Sequence, residues 1–324
     1  MRDNSIDITK GIAILFVYLG HSIIYHPIEL ATLYDWCHLL ERSIASFNMP
    51  LFFIVSGYLF SLSKKDLGQT YKDKFLRLVI PYLFTMLIVV ASKMMLPSSM
   101  SYSDGSGMLL PMLKTWLLSG GERWFVYVLF LVFVIATPIR TFLKNKIVLW
   151  SIVVGLIALY FTHVLPTFML INDVAKFLIY FLIGLALNGK YPAIKSFKYK
   201  WGGYLLFLLL NVFLIGYLCK SEVIFRFILP FTGTLAVAFA SCQLDNLGEN
   251  NILVRWFKYL GKYSLQFYLF TFAYPIIRVV IVSKLGIINP LSIILLVFIL
   301  QLITSTIIVE ITRRIKWLKI PCGY

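Results

Sequence analysis

Apolar positions in this chain come in long unbroken blocks, separated by short stretches that hold most of the Lys, Arg, Asn and Pro. Each block is about 20 residues long, enough for an α-helix rising 1.5 Å per residue to cross a hydrocarbon layer about 30 Å thick. Ten such blocks are placed by hydropathy, at residues 6–25, 44–62, 78–96, 124–142, 147–165, 170–188, 201–219, 223–241, 263–283 and 289–310. Their length, and the Gly and Pro inside them, fit helices and not the ten-residue alternation of an outer-membrane barrel. The pattern predicts an all-α, polytopic membrane helix bundle with about ten transmembrane helices. No repeat, low-complexity tail or soluble segment interrupts it, so residues 1–324 read as a single domain.

Composition agrees: 60% of the residues are hydrophobic, 14% are charged and the mean hydropathy is +0.86. The net charge of +16 would suit nucleic acid if it were gathered in a basic region, but the Lys and Arg residues sit in short connections between apolar blocks. Charge here reports topology. With both termini placed in the cytoplasm, 21 Lys and Arg fall on the inner side and eight on the outer, with Lys176 inside a span. That asymmetry follows the positive-inside rule and predicts a multi-pass protein of the inner (plasma) membrane with cytoplasmic termini. Lys10 and His21 interrupt the first block and no small-x-small cleavage site follows, so it reads as a retained helix and not a signal peptide. Cys37, Cys219, Cys242 and Cys322 show no paired spacing, which predicts neither a disulfide framework nor a metal site. The longest outer connection runs from Pro97 to Arg123, and its apolar run Met108 to Leu118 is short for a span.

Ionisable side chains at depth are costly in lipid and mark candidate functional positions. His21 lies inside the first block, eleven residues after Lys10. On a helix that step turns roughly 1100°, three turns plus about 20°, and rises about 16 Å. Lys10 and His21 therefore share a face, and Asp7 lies about 40° off it. The three form a stripe running inward from the cytoplasmic end. A histidine so placed is either a neutral core residue hydrogen-bonded to a neighbouring helix or a reactive group.

Other candidates follow along the chain. Phe47 to Tyr58 contains Pro50, which frees a backbone carbonyl, and Ser56-Gly57, a small surface for close helix approach. Lys74 and Arg77, three apart before Ile80-Pro81-Tyr82, either clamp phosphates or anchor the chain at an anionic lipid surface. Glu122, Arg123 and Trp124 begin the fourth block, as an interfacial helix start or as groups facing a polar cavity. His26, His38 and His163 read as loop residues. No Walker loop, dinucleotide fingerprint, HExxH or GxSxG occurs, which argues against an ATP-driven pump and a conventional hydrolase.

Taken together, these pieces resemble the acyltransferase 3 family of bacterial membrane O-acyltransferases. The likeness rests on the basic residue, ten residues and His of Lys10 to His21; on Met49-Pro50-Leu51-Phe52-Phe53-Ile54-Val55-Ser56-Gly57-Tyr58; and on the basic pair before Ile80-Pro81-Tyr82. Trp124-Phe125 and Leu260-Gly261-Lys262-Tyr263-Ser264-Leu265-Gln266-Phe267-Tyr268-Leu269 complete it. It covers nearly the whole chain, in order. Where many relatives have His soon after the late Tyr-Leu, this chain reads Phe270-Thr271; where many have Arg, Lys10 keeps the charge without the guanidinium fork.

The resemblance implies an enzyme that moves an acyl group, most simply acetyl, from cytoplasmic acyl-CoA to a hydroxyl of a cell-envelope, capsular or exopolysaccharide sugar. It implies no bound cofactor and no metal, acetyl-CoA or another acyl-CoA as co-substrate, and as partners a saccharide or lipid-linked glycan and membrane lipids, with no nucleic acid. Lys74, Arg77 and Lys10 would meet the anionic donor. His21 would act as general base or transient acyl carrier, its proton affinity set by burial and by Asp7 or Lys10. Ser56, Glu122, Arg123 and Trp124 would support the acceptor side. The alternative reading is a transporter or exporter of a small metabolite or lipid-linked sugar, and a further one is a sensor whose bundle has no catalysis.

Overall fold

The computed structural model describes residues 3–24, 29–95, 109–162, 164–166, 168–188, 196, 200–218, 224–271 and 274–324. Every regular element among them is helical. Six of these helices are long and apolar enough to cross a membrane: Asn4–Ile24, Asp35–Leu62, Leu67–Ala91, Leu113–Ala136, Arg226–Asp245 and Pro290–Arg314. Lys146–Phe161 and Trp201–Phe213 are apolar but shorter. Several boundaries differ from hydropathy. The second helix begins at Asp35, so His38 is an exposed helical residue and not part of a loop. The helical run that carries Lys74 and Arg77 extends from Leu67 to Ala91 and so begins eleven residues before the expected block. Residues 252–262, expected in a connection, form the amphipathic helix Ile252–Lys262.

The chain divides into two compact units, each discontinuous in sequence: Met1–Phe52 with Lys190–Ile311, and Phe53–Gly189 with Thr312–Tyr324. In the first unit, Asn4–Ile24 packs on Ile252–Lys262, Leu229–Asp245 and Ser264–Leu269. Two glycines set the closest of these contacts. A Cβ on Gly261 would stand 1.7 Å from the Asp7 carbonyl oxygen, and one on Gly11 would stand 2.2 Å from the Phe257 carbonyl oxygen. Each backbone thus rests directly on the other, the small-residue contact by which helices associate when lipid supplies no hydrophobic drive. The ends are tied by Glu249, which accepts from Asn4 Nδ2 at 2.7 Å and Lys258 Nζ at 3.0 Å. The hydrogen bonds from Lys258 and Asn4 hold its carboxyl below the usual range. Gly233 receives the Phe47 ring, which meets Phe16 edge-on at 5.2 Å.

The late apolar block, residues 263–283, is not one helix. Ser264–Leu269 ends, and helix resumes at Tyr274–Val279 before a π-helical turn, Val280–Lys284. A helix that stops among buried residues leaves carbonyls that water does not reach. Here side chains take them: Tyr18 donates to the Phe267 carbonyl at 2.9 Å, Thr271 to Tyr268 at 2.8 Å, and both Gln301 Nε2 and Ser305 Oγ to Phe270 at 3.2 Å. Phe270 and Thr271 are accordingly buried.

The second unit is built on rings. Phe53 stacks on Phe177 at 4.5 Å and meets Phe125 edge-on; Phe60, Phe133 and Phe181 form a second cluster. Gly57 and Gly184 repeat the glycine device, since a Cβ on either would stand 1.9 or 2.0 Å from the carbonyl oxygen of Phe181 or Ile54. This places Ser56-Gly57 against a neighbouring helix, Ile171–Ala186. The end of Asp35–Leu62 is closed by Arg140, whose guanidinium donates to the carbonyls of Phe60 and Lys65 at 3.1 Å, and to Ser63, while lying 4.7 Å from the Phe60 ring. At the chain's end Thr312 Oγ1 and the Tyr324 hydroxyl are 2.7 Å apart, and burial pushes the Cys322 thiol up to about 11.

Replacing Gly11 or Gly261 with Ala should lower the melting temperature of the detergent-solubilised protein, by the equivalent of about 1–3 kcal/mol or more, because backbone must move. Gly155→Ala, where nothing lies within 4 Å of the added Cβ, serves as the neutral control. Because the Cys322 thiolate forms only well above neutrality, iodoacetamide at pH 8 should modify Cys322 in the denatured protein and leave it unmodified in the folded one, as read by peptide mass.

Candidate functional site

In the first unit Asp7, Lys10 and His21 all lie on the unbroken helix Asn4–Ile24. Lys10 Nζ and Asp7 Oδ1 are 2.7 Å apart, with side chains only 15% and 9% exposed. Two ions three residues apart neutralise each other locally, which a lone Lys or Asp in this position would not achieve. The Asp7 carboxylate is therefore committed to Lys10 and not to His21, fourteen residues and about 21 Å further along the helix.

His21 is half-buried, and its Nδ1 lies 2.6 Å from the carbonyl oxygen of Val17. A carbonyl can only accept, so the proton of the neutral ring is assigned to Nδ1 and the lone pair to Nε2. That tautomer is the one a base or nucleophile working through Nε2 requires. The bond stays within the helix itself and does not reach a neighbour. Ser22 and Ile23, the next two residues, are fully buried. The carbonyl of Ser22 accepts from Nη1 of Arg278 at 2.8 Å, and Arg278 has 0% exposure.

The other candidates fall in the second unit. Lys74 is half-buried, its ammonium 3.8 Å from the centroid of the Phe133 ring, a cation–π contact. Arg77 is exposed. Between them the chain passes from the α-helix Leu67–Lys74 into a π-helical turn, Phe75–Val79. The wider turn breaks the alignment that three-residue spacing has on an α-helix, so the two cations meet different surroundings. Such turns are frequent at functional sites. Lys65 pairs with Asp73 in the same region. Ser56 is half-buried.

Glu122 and Arg123 belong to a short 3-10 turn, Gly121–Arg123, reached through Gly120 and Gly121 at φ 72° and 49°. These left-handed conformations suit glycine. They turn the chain from Leu109–Ser119 into Trp124–Ala136, leaving Arg123 buried at 1% exposure and Glu122 half-buried. The Trp124 and Phe177 rings lie 5.3 Å apart, and Lys176 Nζ lies 4.8 Å from the centroid of the Phe177 ring. Lys176 thus joins the Glu122–Trp124 surroundings, although it is 52 positions later in the chain.

His26, His163, Cys219 and the Pro97–Gly107 stretch lie outside the described residues. Among the described residues, no group of three or more His, Cys, Asp or Glu is assembled that would hold a metal ion. Arg278 escaped the sequence reading, which counted it with the outer loop charges. The available signal was its position inside the apolar block 263–283.

A family model described as an acyltransferase domain matches residues 3–310. The chain belongs to the acyltransferase 3 family. As a member of that family it carries an acyltransferase domain over essentially its whole length, built from membrane-type helices. It is 32% identical over 167 residues to nodulation protein NolL of Mesorhizobium japonicum, an alignment covering 50% of this chain and 42% of the relative. It is also 34% identical over 95 residues to nodulation protein NolL of Sinorhizobium fredii, covering 29% of this chain and 26% of that relative. The chain thus matches less than half the length of these curated relatives. No solved structure matches.

Removing one member of the Asp7–Lys10 pair leaves a poorly hydrated charge, a loss of about 3–5 kcal/mol when burial is complete and less here. Lys10→Met should therefore reduce thermal stability in detergent more than the double variant Asp7→Asn/Lys10→Met. Equal losses in the two would show that the pair contributes nothing as a pair.

Proposed function

We propose that this member of the acyltransferase 3 family is an O-acyltransferase, and in the simplest case an O-acetyltransferase. Its donor is cytoplasmic acyl-CoA, and its acceptor is a hydroxyl on a cell-envelope, capsular or exported saccharide. The protein crosses the inner membrane about ten times, the count given by hydropathy, with both termini in the cytoplasm. Lys74 and Arg77 are assigned to the donor's phosphates by charge, and Lys10 to the donor side of the first helix. Ser56, Glu122, Arg123 and Trp124 are assigned to the acceptor side.

One observation carries the reading. His21 stands in a helix long and apolar enough to cross a membrane, with Nδ1 held by its own backbone at Val17, and this puts the lone pair of the neutral ring on Nε2. As general base, Nε2 takes the proton of the sugar hydroxyl while the oxygen attacks the thioester carbonyl; the C–S bond breaks and coenzyme A leaves as the thiol once protonated. As acyl carrier, the same Nε2 attacks the thioester carbonyl first, the C–S bond breaks and coenzyme A leaves as the thiol with the ring's Nδ1 proton; the sugar oxygen then displaces the acyl group from Nε2 and its proton returns to the ring. The discontinuous late block is an element that transporters also use, but the carbonyls of Phe267, Tyr268 and Phe270 are occupied by side chains, which favours a sealed core over a permeation path.

The glycans of cells with and without the gene should differ by the mass of one acyl group per modified residue, and His21→Ala should abolish that difference while protein still accumulates in the membrane. A folded, abundant His21→Ala protein that still acylates would sink the assignment. Thiol release from acetyl-CoA by membranes lacking acceptor separates the two roles: the general base gives no burst, the acyl carrier a burst of one thiol per enzyme.

A further inference from the structure

We propose that Arg278 is a positioning residue for His21, acting as a side-chain cap on the last turn of the first helix. The inference rests on the transfer role proposed for His21 and adds a second group to it. Asn4–Ile24 ends three residues beyond His21, so the carbonyl of Ser22 is among the four that have no acceptor role within the helix. It lies where no exposure remains, Ser22 and Ile23 both being at 0%. A buried carbonyl in that position requires a donor, and the guanidinium Nη1 of Arg278 supplies it at 2.8 Å. The cation also sits at the negative end of the helix dipole.

The origin of this donor explains why the chain spends a charge there. Arg278 belongs to Tyr274–Val279, the piece of helix that follows the interruption of the late block. The apolar cluster of Ile23, Cys37, Ile44, Ile281, Ile293 and Val297 lies in the same unit and includes the neighbours of both bonded residues, Ile23 after Ser22 and Ile281 one turn after Arg278. Arginine at 0% exposure is expensive there and is retained where a cationic donor to a buried carbonyl is needed. His21 adjoins the capped residue. Its ring is oriented by a bond to Val17, one turn earlier, and that bond holds its direction only while the last turn stays helical. Arg278 therefore acts through the backbone of the catalytic turn.

The test uses the full-length protein in nanodiscs or native membranes, with Arg278→Gln and Arg278→Lys beside wild type and His21→Ala. In Arg278→Gln, amides of residues 21–24 should exchange hydrogen about tenfold faster or more as the uncapped turn frays. The rate of acyl transfer at saturating acetyl-CoA should fall about 10- to 100-fold with the KM for acetyl-CoA unchanged. Arg278→Lys, which keeps charge and one donor, should restore exchange protection and rate together, and it decides the matter if Arg278→Gln fails to accumulate. Wild-type rate in a folded Arg278→Gln, or a raised KM at unchanged maximal rate, would overturn the proposal. So would an Arg278→Lys protein with full protection and no activity. Wild-type membranes that transfer no acyl group would instead refute the proposed function, while the exchange data would still report on the cap.

Discussion

Backbone meeting backbone at Gly11 and Gly261 is the contact on which the first unit depends. Apolar helices in lipid gain nothing from burying more apolar surface, so association relies on close packing and on polar groups placed where they find partners. With Gly261 pressed on the Asp7 carbonyl, and Gly11 on that of Phe257, neither helix can rotate or slide without a clash. The register fixes which face of Asn4–Ile24 is covered, and so where Asp7, Lys10 and His21 emerge. Gly57 against the Phe181 carbonyl and Gly184 against that of Ile54 impose the same restriction on the second unit, and there they set the height of Ser56.

The polar groups of the first unit are distributed so that each solves a local problem. Asp7 balances Lys10 within one turn, and the Val17 carbonyl orients the His21 ring. Neither acidic nor basic side chain is needed at the imidazole to select its tautomer. The Tyr18 hydroxyl, Thr271, Gln301 and Ser305 quiet the carbonyls left where the late block stops being helical. These polar residues, scattered in apolar sequence, meet in pairs of donor and acceptor at the named atoms.

The stripe on the first helix was legible because an uninterrupted helix converts residue spacing directly into height and angle, and because ions in an apolar block stand out. Ser56-Gly57 was legible as a small surface, but its partner Gly184 was not, since spacing along one chain says nothing about which segments meet. Hydropathy averages over windows and so ran straight through the interruption after Leu269, and it started the third block at residue 78, within the π-helical turn Phe75–Val79. It also misread Ile252–Lys262, whose Arg255, Lys258 and Lys262 lowered the average of an amphipathic helix to that of a loop. Arg278 was misplaced for a related reason: a basic residue near a block's edge counts toward topology unless something shows that it is buried.

The pairing of Lys10 with Asp7 also bears on how the protein is made. The partner of the first helix, Ile252–Lys262, lies some 240 positions later in the chain, so the first helix leaves the ribosome long before the surface it packs on exists. A helix carrying a single charge would have to wait in the bilayer with that charge exposed to lipid. Because both ions sit on one turn, the nascent helix carries its own neutralisation and can be inserted alone.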